Sequence, residues 1–321
     1  MKILVTGGLG LIGHNVVNKL ESLGHEIVIV DNKTTYGLIP PDELSYLMLE
    51  RIKKIKTRNV FSADIADYYA LDEIINDDKP EAIIHLASFP RQKVVNVNPR
   101  AGSKTMSEGL INLLELAKKH KVKRFVYISS SMVYGDFVDD VCEDAICKPQ
   151  GQYGIMKLAG EWLVKDYTRS SGIEHTIIRP SAVYGPLDVE DRVISKFILS
   201  ALRNQTLKVN GANETLDFTY VDDAADGIVA ATLSENAINK TYNITKSHSR
   251  TLKYAAELAV KIAGKGSIEI RDKDVDFPSR GALNIDAAKR DFGFNPKVDV
   301  EEGFKIYYDW IVNSSYWSKK T

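Results

Sequence analysis

Two cysteines in 321 residues, Cys142 and Cys147, are too few for a disulfide framework, and a chain of this size needs none to hold a core. Long apolar runs are missing too. None approaches the roughly 18 residues of a membrane span, so no membrane partner is expected. Neither sign of charge is in excess: 42 Lys and Arg stand against 43 Asp and Glu, which gives nucleic acid nothing to bind by bulk charge. The six histidines show no metal-ligand spacing, and no metal is expected. The chain opens directly into MKILVTGG without a basic leader, and a cytoplasmic protein is the expectation.

What is present is an ordinary globular composition, 44% hydrophobic and 26% charged, long enough for about two domains of roughly 150 residues each. Over the first 180 residues, short apolar runs alternate with helical patterns. Ile3-Leu4-Val5, Glu26 to Val30, Phe61 to Ala63, Ala82 to Ala87, Arg124 to Ser129 and Glu174 to Ile178 read as strands. Leu11 to Leu23, a short segment around Leu71, Ile74 and Ile75, Leu110 to His120, and Tyr153 to Ser170 read as helices. That alternation predicts an α/β fold, a doubly wound parallel sheet covered by helices on both faces. After Pro180 the rhythm changes, with a helix near Val193 to Arg203 and a strand at Leu207 to Val209. Residues 181–216 and 246–321 are expected to form mainly a second, smaller α/β substrate domain. Tyr242-Asn243-Ile244 reads as one more strand, so the chain is expected to return to the first domain at about 217–245.

Between the first strand and first helix lies Thr6-Gly7-Gly8-Leu9-Gly10-Leu11-Ile12-Gly13. Glycines at this place allow a tight turn, close backbone approach to a phosphate and close helix–strand packing. The helix N-terminus behind them offers unpaired N–H groups to a pyrophosphate. Asp31 ends the second strand at the spacing expected for a carboxylate that accepts ribose hydroxyls and repels a 2′-phosphate. NAD is the cofactor this pattern favours over NADP.

Tyr153 and Lys157 stand four apart on one helix face, a phenol beside a cation that favours its ionised form. Ser130, at the end of a predicted strand, can hydrogen-bond the same oxygen. Together with TGGLGLIG, HLAS (85–88), ISSSMVYG (128–135), YGIMK (153–157), RPSAVYGP (179–186) and DFTYVDDAADG (217–227), these residues carry a resemblance over nearly the whole chain. The sequence resembles the extended short-chain dehydrogenase/reductases, specifically the NAD-dependent nucleotide-sugar epimerase/dehydratase group with its Rossmann fold.

The resemblance implies roles. Tyr153 would be the base on a sugar hydroxyl, Lys157 would hold the nicotinamide ribose and tune Tyr153, and Ser130 would share the substrate hydroxyl. Gly7, Gly10, Leu11, Ile12, Gly13, Asp31 and Asn32 would hold the pyrophosphate and adenosine ribose. Asp64 and Ile65 would flank adenine, Leu86, Ala87 and Ser88 would line the pyrophosphate and ribose, and Pro180 to Val183 would border the carboxamide. Ser131, Met132, Arg91 and Arg280 would face the substrate. In this family the helices ending near His120 and carrying Tyr153 pair with their symmetry mates, which implies a homodimer; Leu110, Leu113, Leu114, Ala117, Ile155, Leu158, Ala159 and Trp162 are its candidate contacts, some of which must face the sheet instead.

Departures from the family pattern narrow the chemistry. Dehydratases place an Asp-Glu pair directly after the catalytic Ser or Thr; Ser131-Met132 stands there, and Met does no acid/base work. An Arg that clamps phosphate is replaced by Leu216, leaving Arg280, Arg91 and Lys93 as candidates. Met106 stands where Asn usually begins a helix. The expected activity is epimerisation of a nucleotide sugar at C4 through a keto intermediate. A net C4 dehydrogenase or reductase is the alternative, and a non-catalytic NAD-binding module a third reading.

Several signals are set aside. The basic run Arg51, Lys53, Lys54, Lys56 and Arg58 is read as a solvated helix face. His85 is read as a core residue, and Tyr307, Tyr308, Trp310 and Trp317 as packing.

Overall fold

The computed structural model describes every residue from Met1 to Thr321 except Pro90 and Asp276. Its main sheet contains β1 (Lys2–Thr6), β2 (Glu26–Val30), β3 (Val60–Phe61), β4 (Ala82–His85), β5 (Arg124–Ile128), β6 (Glu174–Pro180) and the strand Lys240–Ile244. All pairs are parallel, in the order Lys240–Ile244, β6, β5, β4, β1, β2, β3. Leu4 sits opposite Val28 on one side and Ile83 on the other. The strands are near-continuous apolar runs because both faces are covered. On one face Val16, Val17 and Leu20 of the helix Leu11–Ser22 pack with Ala225, Ile228 and Val229 of the helix Val221–Leu233. On the other face lie the helices Tyr68–Asp78, Gly109–Lys119 and Gly151–Ser171.

A separate apolar cluster joins the helices Val193–Leu202, Leu252–Ala263 and Val300–Asn313. Beside it the strands Thr206–Asn210 and Ser267–Arg271 pair in parallel. Tyr307 and Trp317 are buried in this cluster.

Element boundaries differ from the sequence pattern by a few residues, and two differences have local causes. The third strand is Val60–Phe61 rather than Phe61 to Ala63, because its partner β2 ends at Val30 and the last ladder bond runs from the Asp31 N–H to the Phe61 carbonyl at 3.0 Å. The fourth stops at His85, because the chain at Leu86–Ala87 turns in towards Gly7.

The basic run needs a larger correction. Glu43, Leu47 and Arg51 of the helix Pro41–Lys54 follow one another at intervals of one turn, and all three are buried. Arg51 is only 4% exposed, whereas its apolar neighbour Ile52 is 36% exposed. Lys53, Lys54, Lys56 and Arg58 are exposed. Arg51 therefore does not belong to a solvated face; its helix carries two charged groups into the interior.

The helix faces also sort the residues held in reserve for a subunit contact. Leu110, Leu113, Leu114 and Ala117 are at most 1% exposed and face the sheet, and Leu158 packs beside Val133 and Leu283. Ile111, Ile155 and Trp162 remain exposed at 39%, 52% and 65%, next to exposed Ala159.

Candidate active site

The strand order reverses between β1 and β4, and doubly wound sheets open a crevice there at the carboxyl ends of the strands. In this chain the crevice widens into a cavity of about 660 Å³. Gly7 has φ +69°, and a Cβ on it would come within 2.7 Å of the Ala87 nitrogen. A Cβ at Gly13 would overlap the Gly7 carbonyl. No side chain caps the helix Leu11–Ser22 at Gly10, so its first N–H groups face the cavity with no capping side chain of their own. This cradle fits a dinucleotide's pyrophosphate.

Asp31 is 9% exposed. Its carboxylate accepts the Leu9 N–H at 2.9 Å and the Lys33 N–H at 2.8 Å. Burial raises its pKa above the usual carboxylate range, against those bonds and the charge of Arg51. Arg51 donates to the Leu9 carbonyl at 3.0 Å and to the Leu187 carbonyl at 2.7 Å. One residue of the glycine turn is thus gripped by Asp31 at its nitrogen and by Arg51 at its oxygen.

Across the cavity floor lie Ser130 and Tyr153. Ser130, two residues past the end of β5, turns the chain, its Oγ accepting the Met132 N–H at 3.2 Å. Burial raises the pKa of Tyr153, while the charges of Arg192 and Arg280 and a hydrogen bond with Ser130 pull it back. Lys157 is 4% exposed and donates to the Ile128 carbonyl at 2.7 Å, with its Nζ 5.9 Å from the centre of the Tyr153 ring. Burial lowers its pKa to about 7, opposed by Glu161.

Of the residues singled out in the sequence, Gly7, Gly10, Leu11, Ile12, Gly13, Asp31, Asn32, Ile65, Leu86, Ala87, Ser88, Pro180 and Val183 line this cavity together with Ser130, Ser131, Met132, Tyr153, Lys157, Arg91 and Arg280. Asp64 does not. It is exposed outside the cavity wall, where it accepts from the Asn32 amide at 3.0 Å. Arg91 and Lys93 line the cavity, but their charges are turned onto Asp191, which also pairs with Lys196. Arg280 is less committed. Its Nε has no hydrogen-bond partner among the described residues, and burial lowers its pKa to about 10.

Arg192 went unnoticed in the sequence. It precedes the helix Val193–Leu202, lines the cavity and stands 3.9 Å from Asp188. Only tertiary placement distinguishes it from any other surface arginine. His85 is buried and shares a 2.8 Å hydrogen bond with Thr6. Met106 lies in a π-helical segment, Lys104–Glu108, buried with Phe89, Val94 and Val95. Cys142 is exposed and Cys147 half-buried, and burial pushes both thiols up rather than towards a reactive thiolate.

Known proteins share this chain's sequence pattern and fold. Residues 3–245 match the model of the NAD dependent epimerase/dehydratase family. An uncharacterized UDP-glucose epimerase of Bacillus subtilis is 30% identical over 312 residues, covering 94% of this chain and 95% of its own. The UDP-glucuronic acid 4-epimerase of Bacillus cereus, solved with UDP-glucuronic acid and NAD, superposes with a TM-score of 0.89 at 28% identity, covering 97% of this chain and 98% of that one. The UDP-glucose 4-epimerase of Thermotoga maritima, solved with UDP-glucose, gives 0.85 at 28% identity with the same coverage. On a cavity built from the glycine turn, Asp31 and the Ser130, Tyr153 and Lys157 set, and on these matches across its length, the chain belongs to the NAD-dependent epimerase/dehydratase family.

Proposed function

We propose that this protein is a nucleotide-sugar 4-epimerase. The observation that carries the reading is one cavity shared by the glycine turn, Asp31, Ser130, Tyr153 and Lys157, with Met132 rather than a carboxylate after Ser131. Gly7, Gly10, Leu11, Ile12 and Gly13 hold the pyrophosphate of NAD, Asp31 and Asn32 its adenosine ribose, and Lys157 its nicotinamide ribose. Ile65, Leu86, Ala87, Ser88, Pro180 and Val183 complete that half, with Asp64 reaching the adenine only from outside the wall. The chemistry that the dinucleotide supplies when bound is reversible hydride acceptance.

The protein's own part is proton transfer and orientation. Tyr153 takes the proton of the sugar's C4 hydroxyl, and Ser130 hydrogen-bonds the same oxygen. When the keto sugar presents its other face, Tyr153 returns the proton and the configuration at C4 is inverted. The pKa of Tyr153 is raised by burial and pulled back by Arg192 and Arg280, so substrate diphosphate near those cations adjusts the base as it docks. Arg280 is the first cation to meet that diphosphate, because Arg91 is occupied by Asp191.

Residues 1–180 with 217–245 form the NAD-binding part in this reading, and 181–216 with 246–321 the substrate part. Ile111, Ile155, Ala159 and Trp162 supply the contact for a homodimer in the cytoplasm. Incubation with UDP-glucose, UDP-glucuronic acid and other UDP- or GDP-sugars should yield the C4 epimer without added NAD and without lasting NADH absorbance. Stoichiometric NADH accumulation would make the protein a net C4 dehydrogenase instead.

A further inference from the structure

Three consecutive residues at the end of β5 are each engaged by one face of the helix Gly151–Ser171. The Ile128 carbonyl takes the Lys157 ammonium at 2.7 Å, the Ser129 hydroxyl donates to Glu161 at 2.6 Å, and Ser130 meets Tyr153. Tyr153, Lys157 and Glu161 follow at intervals of one turn, so they share one stripe of that helix. Two glycines let it approach so closely: a Cβ at Gly154 would come within 2.6 Å of the Met132 carbonyl, and one at Gly160 would overlap the Tyr127 hydroxyl.

Glu161 has no place in the proton transfer described above. It is 1% exposed, and the 3% exposed Arg179 grips it with two donors, Nε at 2.9 Å and Nη2 at 2.6 Å. Arg179 is anchored in turn on the Tyr134 hydroxyl at 2.8 Å and the Glu143 carbonyl at 2.9 Å. A bidentate pair of this kind fixes the carboxylate in both position and charge. In a dry interior its field on an ammonium one turn away is screened far less than in water.

We propose that Glu161, held by Arg179 and Ser129, is a positioning residue that keeps Lys157 charged and sets Ser130 against Tyr153. The inference rests on reading Tyr153 and Lys157 as the proton-transfer pair. Among the described residues, the groups facing Lys157 other than Tyr153 do not provide a negative charge. His85 from β4 has its pKa lowered to about 3 and stays neutral, and Tyr127 from β5 is a buried phenol whose pKa burial raises. Glu161 is the anion that opposes the fall of the Lys157 pKa to about 7, beside the Ile128 carbonyl that accepts from the same ammonium.

The test is to follow Lys157 directly, by NMR titration of 13C-lysine-labelled protein with K157R to assign the signal, alongside the pH profile of kcat. E161Q should lower the Lys157 midpoint by about one pH unit or more and draw the alkaline limb of kcat down with it, leaving KM within about twofold. E161Q/R179M removes both charges, so that no buried ion is left alone if the single variant folds poorly, and it should move the midpoint in the same direction by a smaller amount. S129A should lower kcat without moving the Lys157 midpoint. An unchanged midpoint in both Glu161 variants overturns the proposal, as does a kcat that falls equally at every pH. Because the titration needs no substrate, failure of every nucleotide sugar to turn over would sink the epimerase reading while leaving this result standing.

Discussion

On the side of the cavity proposed to hold NAD the close approaches are made by backbone: Gly7 against Ala87 and Gly13 against the Gly7 carbonyl. On the side proposed to take the substrate the wall is built from long side chains paired with one another. Asp191 is shared by Arg91, Lys93 and Lys196, and Asp188 faces Arg192. Backbone contacts have no rotamers to lose and little room to relax, so that wall suits a ligand held in one pose. A wall of ion pairs can exchange partners when an anionic substrate arrives, at a cost set by desolvation. Chemistry that turns a sugar over while holding its cofactor still needs one wall of each kind.

If the first wall is fixed by backbone, removing the base should leave binding untouched. Tyr153→Phe is therefore expected to reduce turnover by about 10²- to 10⁴-fold while NAD retention stays near that of the unaltered protein. NAD content after gel filtration, measured beside kcat, decides it. Loss of NAD together with activity would show that the Tyr153 hydroxyl helps to build the wall.

Arg51 is where the two walls meet, through the Leu9 carbonyl on one and the Leu187 carbonyl on the other. Arg51→Met leaves both carbonyls and the nearby Asp31 and Asp188 without their buried cation, and should cost about 3 kcal/mol of stability. It should also weaken NAD binding and raise the KM for nucleotide sugar together, read by calorimetry and steady-state kinetics. A change in only one of the two would separate the walls and break the comparison.

The same contrast explains what the sequence disclosed. The glycine turn, Asp31, Tyr153 and Lys157 were legible because their chemistry depends on short-range spacing along a strand–turn–helix unit. The apolar alternation of β1, β2, β4, β5 and β6 was legible for a similar reason. Arg51 was misjudged since four of the five cations in its run do point to solvent; only the interval from Glu43 through Leu47 betrays the buried stripe, and two of those three residues are charged. Arg192 and the sharing of Asp191 were invisible. They depend on segments about 100 residues apart meeting across the cavity, as in the contact of Arg91 with Asp191.

Glu43 lies behind the side-chain wall. It is 1% exposed, and its carboxylate accepts the Glu190 N–H at 2.7 Å, tying the helix Pro41–Lys54 to the segment that carries Asp188 and Asp191. Burial raises its pKa from 4.5 to about 7, with the Glu190 N–H acting against that rise. Between those values the folded chain holds a proton that the unfolded chain has released. Stability therefore falls as pH rises through the window and levels off above it. At about 1.4 kcal/mol per unit over about 2.5 units, the loss is at most about 3.5 kcal/mol, and relaxation around a partly polar site brings it nearer about 1–2 kcal/mol. Glu43→Gln keeps an oxygen for the Glu190 N–H and carries no charge to bury, so it should escape that loss. Urea midpoints should coincide for the two proteins at pH 5 to within a few tenths of a molar. At pH 8 the Gln variant should be the more stable, because the native carboxylate is ionised there and the amide is not. Asp31 and Asp188, whose pKa values burial also raises, titrate in both proteins and cancel from the difference. Parallel pH dependences for the two proteins would mean that Glu43 is ionised without cost, and that this wall is better solvated than its burial indicates.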